Sequence, residues 1–140
     1  MKHIMMYLAL AVVVNLSGCS FSRNPEAESA AIAAAKAWLA LVGGEKYAES
    51  WDEAAQYLKG AIQKDQWVQT MQSMRKPFGK NMLSELKSRH YRTALPGAPD
   101  GQYVIIRFRA SFEHKQSTLE TITPMLDKDG QWRVSGYFMQ

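Results

Sequence analysis

Cysteine is almost missing from this chain. With Cys19 alone, no intramolecular disulfide can brace the fold, and stability has to come from packing around Trp, Phe, Leu and Met. A run long enough to cross a bilayer is missing as well. A spanning helix needs roughly 20 apolar residues, whereas Ile4 to Val14 supplies 11. Positive charge is present without being gathered: 17 Lys and Arg stand against 13 Asp and Glu in 140 residues, a net of +4. That surplus suits solubility and anionic headgroups, and it falls short of the basic stripe of a nucleic-acid binder. There is no Gly-rich phosphate loop and no Gly-x-Ser-x-Gly nucleophile motif. His90 and His114 are isolated. Asp127-Lys128-Asp129-Gly130 opens like a calcium loop but lacks the third acidic ligand and the later bidentate Glu, so a hairpin turn accounts for it. No metal, no cofactor and no nucleic-acid partner is indicated.

What is present starts with export. Met1-Lys2-His3 is a short positive start, Ile4 to Val14 an apolar core, and Asn15 begins a small, polar stretch, which is the anatomy of a signal peptide over 1–18. Leu16-Ser17-Gly18-Cys19 follows, and it resembles the lipobox of bacterial lipoprotein precursors. Small residues let an extended backbone fit a membrane peptidase, and the thiol is the one nucleophile here able to accept a diacylglyceryl group as a thioether. The resemblance implies cleavage between Gly18 and Cys19, acylation of Cys19 and about three chains, each buried methylene adding about 0.8 kcal/mol of anchoring. An ordinary secretory signal is the alternative, and it too exports the protein. Among such precursors Asp after the cysteine retains a protein in the inner membrane. Ser20 stands there instead, which favours the outer membrane, and residues 19–24 read as a lipidated tether.

The remaining 25–140 form one domain, since the 122 residues left after cleavage suit a single modest core. Asn24-Pro25 is a helix start, with Glu26 and Glu28 complementing the dipole. Ala27, Ala30, Ala31, Ala34, Trp38, Leu41 and Val42 make one apolar face before the Gly43-Gly44 stop, and so many alanines predict close approach to a sheet. Tyr47, Trp51, Ala54, Ala55 and Leu58 form a second stripe, broken near Asp52 and ended by Gly60. Trp67, Met71 and Met74 form a third, closed by Pro77 and Gly79. After Asn81 the period changes to two. Tyr103 to Phe112 alternates with Val104, Ile106, Phe108, Ala110 and Phe112 on one side. Turn residues at 113–116 and 127–130 separate Leu119 to Leu126 and Trp132 to Phe138. Met82 to Thr93 is read as a further strand, although its first half also suits a helix. Helices followed by a four-strand antiparallel meander give an α+β fold, with N-terminal helices on a curved, cone-like sheet.

Ala37 to Val42, Tyr47 to Asp52, Leu95 to Val104 and Thr123 to Tyr137 resemble an uncharacterised bacterial exported family, domain of unknown function number 4019. The closing Asp-Gly-x-Trp-Arg-Val-x-Gly-Tyr hairpin, residues 129–137, is also similar to that of nuclear-transport-factor-2-like, cystatin-like domains. The resemblance implies a fold and carries over no activity.

Two sites compete with plain structural roles. Trp38, Trp51, Trp67, Phe108 and Trp132 either line a cavity inside the cone or fill it as core. By alternation Arg107, Arg109 and Arg133 face away from the apolar side, interleaved with Tyr103 and Tyr137, with Lys87 and Arg89 close by. That face suits an acidic partner or another subunit, or is a solvated surface with cross-strand pairs to Glu85 or Glu120. Alternation does not place Glu113 or Glu120 securely inside, so no catalytic residue and no acid/base pair is assigned. The resulting expectation is a lipid-anchored, non-catalytic module that binds a small molecule or an envelope protein. A small pocket enzyme of isomerase or hydrolase type, or an enzyme inhibitor, is the alternative.

Overall fold

A computed structural model describes residues 22–140; the signal segment, Gly18 and Cys19 lie outside the described residues. Helix α1 (Pro25–Gly43) starts where Asn24 caps it, its side chain accepting from the Ala27 N–H at 3.1 Å, with Pro25 at the first helical position. The buried stripe is Ala27, Glu28, Ala31, Ala35, Trp38 and Val42. It is turned slightly from the face read in the sequence, because Ala30 is exposed and Ala34 and Leu41 half-buried. Short side chains let α1 lie across all four strands. The next stripe is broken as expected, into α2 (Tyr47–Asp52) and α3 (Gln56–Ala61), and α4 (Lys64–Arg75) runs into a short 3₁₀ turn at Lys76–Phe78.

The sheet is a four-strand antiparallel meander in the order β1 (Asn81–Arg92), β2 (Tyr103–Phe112), β3 (Lys115–Leu126), β4 (Trp132–Met139). The chain is therefore α+β. The helix reading of residues 82–87 is overruled by pairing, since Leu83 to Leu86 sit opposite Ser111 to Phe108. The β3–β4 turn closes with Gly130 at φ +81, a left-handed conformation that glycine adopts without a Cβ clash.

Two register shifts decide which side chains reach the core. In β4, Val134 pairs with Pro124 and Gly136 with Thr123, leaving Ser135 as the extra residue of a β-bulge. Val134 and Tyr137, three apart, consequently both turn inward. In β1 the extra residue is Lys87, so Leu86 and Arg89 share the inner face, where the Arg89 Nε lies 3.1 Å from Glu28 of α1.

The helical layer converges on Ser50, which is fully buried. Its carbonyl accepts from Trp38 Nε1 at 2.8 Å, its Oγ accepts from Trp67 Nε1 at 3.0 Å, and the same Oγ donates to the Tyr47 carbonyl at 2.6 Å. One small residue thus satisfies both buried indole N–H groups and ties α1, α2 and α4 together. Replacing it by alanine strands the Trp67 N–H, so Ser50→Ala should lower unfolding stability by about 1–3 kcal/mol. Urea denaturation followed by Trp fluorescence measures this, and a change within about 0.5 kcal/mol, the range of a neutral surface substitution, would show that the hydroxyl is dispensable.

Candidate functional site

On the inner face of the sheet, even-numbered residues of β3 point toward α1: Thr118, Glu120, Ile122 and Pro124 are all buried. Glu120 is 1% exposed, and its Oε2 accepts from the Tyr137 hydroxyl at 2.9 Å. The Tyr137 hydroxyl in turn accepts from Arg75 Nη1 at 3.0 Å, and Arg75 Nη1 lies 3.7 Å from Glu120 Oε2. Arg75, 6% exposed, ends α4 one turn beyond Met71 and two beyond Trp67, on the same buried face. Its guanidinium sits over the Phe112 ring at 4.6 Å, and Tyr137 packs edge-on to Trp38 at 5.3 Å between centroids. A carboxylate, a phenol and a guanidinium are therefore brought together between the helices and the inner face of the sheet.

Burial pushes the Glu120 carboxyl above its ordinary 4.5, against the opposing pull of the Tyr137 hydrogen bond and the Arg75 charge. Burial, with the nearby Glu120 charge, also raises Tyr137. Glu120 and Arg75 line a cleft of about 380 Å³ under the C-terminal half of α1, together with Lys36, Leu39, Ala40, Gly43, Asn81, Ser84 and Phe108. Arg75 also borders a second cleft, of about 410 Å³, that holds Glu45, Lys76, Lys80 and Glu113. Of the row Ser84, Ala110 and Thr118, which carries short side chains across three strands, Ser84 lines the first cleft. Thr118 Oγ1 is the one buried side-chain polar atom without a hydrogen-bond partner among the described residues.

The five aromatic residues read as cavity lining separate in space. Phe108 borders the Arg75 cleft. Trp38 and Trp132 border another groove, of about 540 Å³, between α1, α2 and the start of β4. Trp67 lies in the core, its ring 6.0 Å from Trp38. Trp51 sits in the helical layer, donating to the Ile62 carbonyl at 3.0 Å with Lys59 and Lys64 over its ring.

The proposed Arg and Tyr face is dismantled in part. Arg107 and Arg109 are exposed on the outer side, and neither forms an ion pair among the described residues. Tyr103 is fully buried: the 93–101 connection folds over it, and its hydroxyl donates to the Pro99 carbonyl. Tyr137 faces the opposite side of the sheet because of the Ser135 bulge. Arg133 is held by its own hairpin, 3.1 Å from Asp127 and 2.8 Å from Asp129. Its hydrogen bond, with one from the Gln131 backbone, holds the Asp129 carboxyl down to about 2. Lys87 pairs with Glu85 at 3.4 Å, and Arg89 turns inward to Glu28.

Arg75 was not singled out in the sequence, although its i, i+4, i+8 relation to Met71 and Trp67 placed it on a buried stripe. Glu120 shares parity with Ile122, a signal blurred by the uncertain start of β3. Glu113 is exposed at the β2–β3 turn. Among the described residues no group of three His, Cys, Asp or Glu is placed to hold a metal ion, and no helix is long and apolar enough to cross a membrane.

The charge state of Glu120 has a measurable consequence. With its folded-state pKa above the unfolded 4.5, the fold binds more protons than the unfolded chain between the two values. The resulting stabilisation is complete below pH 4.5 and is lost as pH rises through the folded value. Urea midpoints taken from pH 4 to 8 should fall for the native chain relative to Glu120→Gln, which cannot titrate. Parallel profiles would mean that the carboxyl is not shifted upward.

Comparison with curated proteins and with solved structures gives no match to either. A family model described as "Protein of unknown function (DUF4019)" matches residues 34–137, from the middle of α1 to Tyr137, and so takes in Arg75, Glu120 and the cleft they line. The chain belongs to that family.

Proposed function

We propose that this chain is an exported lipoprotein, anchored through Cys19 in the outer membrane and facing the periplasm, whose domain binds a small ligand without transforming it. The recognition site in this reading is the cleft under α1. The observation that carries it is the buried guanidinium of Arg75, held between Tyr137, Glu120 and Phe112 at the wall of a cleft. A buried ion pair is a poor source of stability, because desolvating both charges offsets most of their attraction. Charges placed at such cost beside a cleft are candidates for function. Against catalysis stands the engagement of Glu120 with Tyr137 and Arg75, with no further acid/base group hydrogen-bonded to it among the described residues. The place of Glu120 at the cleft wall, with burial pushing its carboxyl upward, favours a second reading, a pocket enzyme of isomerase or hydrolase type with that carboxyl as its acid/base group.

Anchoring rests on Leu16-Ser17-Gly18-Cys19 and on Ser20 after the cysteine. Mass spectrometry of the mature N-terminal peptide should find Cys19 triacylated, and Cys19→Ser should accumulate as an unprocessed precursor. Ser20→Asp should move the protein from the outer- to the inner-membrane fraction on a sucrose gradient. An unacylated Cys19, or cleavage at another bond, overturns the anchored reading and leaves a secreted domain.

A further inference from the structure

We propose that the cleft under α1 takes a small monocarboxylate with an apolar tail, its two oxygens received side-on by the Nε–Nη2 edge of Arg75. This rests on the reading of that cleft as a ligand site and names the ligand class.

The donors come first. A guanidinium carries five N–H groups in a fixed plane. In Arg75 the hydrogen bond to Tyr137 and the ion pair to Glu120 both run through Nη1. The parallel N–H groups of Nε and Nη2 form no hydrogen bond or ion pair among the described residues, and Arg75 borders two clefts. That edge matches the spacing of carboxylate oxygens in a bidentate pair. The plane is also set in advance, by Phe112 at 4.6 Å beneath it and Tyr137 at its far end, so little side-chain freedom is lost on binding.

Charge and shape then select the ligand. The two clefts that meet at Arg75 are lined by four cations, Lys36, Arg75, Lys76 and Lys80, against three carboxylates. Two of those carboxylates are already engaged, Glu120 by Tyr137 and Glu113 by the Lys80 backbone N–H at 3.3 Å. An anion therefore meets a positive residue balance. Inorganic phosphate would use the fork and leave Leu39, Ala40 and Phe108 uncovered. A carboxylate with a short apolar body covers them and gains their burial. At about 380 Å³ the cleft lies at the small end of ligand pockets.

The test compares benzoate with its neutral isostere benzamide, by titration calorimetry on the full-length lipidated chain in lipid nanodiscs. Benzoate should bind saturably and benzamide at least about tenfold more weakly, the difference expected of a charge-assisted fork. Arg75→Lys keeps the charge and loses the fork, and should weaken benzoate about tenfold. Ala40→Leu narrows the cleft from α1 without touching the Arg75 network, and should abolish binding even if Arg75→Lys fails to fold. Equal affinity for benzoate and benzamide, or full benzoate affinity in Arg75→Lys, overturns the carboxylate assignment and leaves the cleft as a ligand site. Benzoate binding that survives Ala40→Leu unchanged, or no saturable binding of either probe, overturns the cleft reading as well.

Discussion

Between the helices and the inner face of the sheet lie a carboxylate and a guanidinium that are almost wholly buried at the wall of a cleft, and much of the geometry around them is what makes that tolerable. Glu120 and Arg75 come from β3 and α4, elements far apart in the chain, and Tyr137 of β4 joins them by accepting from one and donating to the other. Removing Arg75 would leave Glu120 without its compensating cation, whereas protonating Glu120 relieves a charge that burial already disfavours. The trio is thus a constraint on the fold: β4 must present Tyr137 inward, α4 must end on its buried face, and α1 must cover both. The Ser50 node serves the last two requirements, since it fixes Trp38 of α1, against which Tyr137 packs, and Trp67 of α4, two turns before Arg75.

Periodicity made much of the architecture readable. Alanines at helical spacing announced a helix pressed on a sheet, the Gly43-Gly44 stop and the break near Asp52 were visible, and the strict alternation of Tyr103 to Phe112 defined the central strand. The meander followed from turn chemistry at 113–116 and 127–130. What periodicity cannot convey is an inserted residue. Ser135 and Lys87 each add one position to a strand, and beyond each the faces exchange roles. Tyr137 and Arg89, assigned by simple alternation to the outer face, turn inward for that reason.

The candidate site was less legible for a related reason. Two of its three polar members, Glu120 and Tyr137, belong to strands whose side-chain direction is set by long-range pairing. A Glu between Leu119 and Thr121 reads equally as surface or core until the register opposite Phe108 is known. Arg75 shares the buried stripe of Trp67 and Met71, but what it serves there is not legible until Phe112 and Tyr137 are found beside it.

Anchor and cleft can be related through α1. A six-residue tether from Cys19 to Asn24 reaches at most about 20 Å when fully extended, so under the anchored reading the capped start of α1 stays close to the headgroups. The helix then runs 19 residues, or about 28 Å at 1.5 Å per residue. The cleft is lined by its second half, from Lys36 to Gly43. With α1 directed away from the bilayer, the cleft opens toward the aqueous side, where a soluble carboxylate is available and an acyl chain still in a membrane is not. With α1 lying along the surface and its Lys36 side turned to the bilayer, anionic headgroups compete with the ligand for the same fork. Ligand affinity in anionic and neutral nanodiscs separates the two orientations, because only the second makes binding depend on lipid charge.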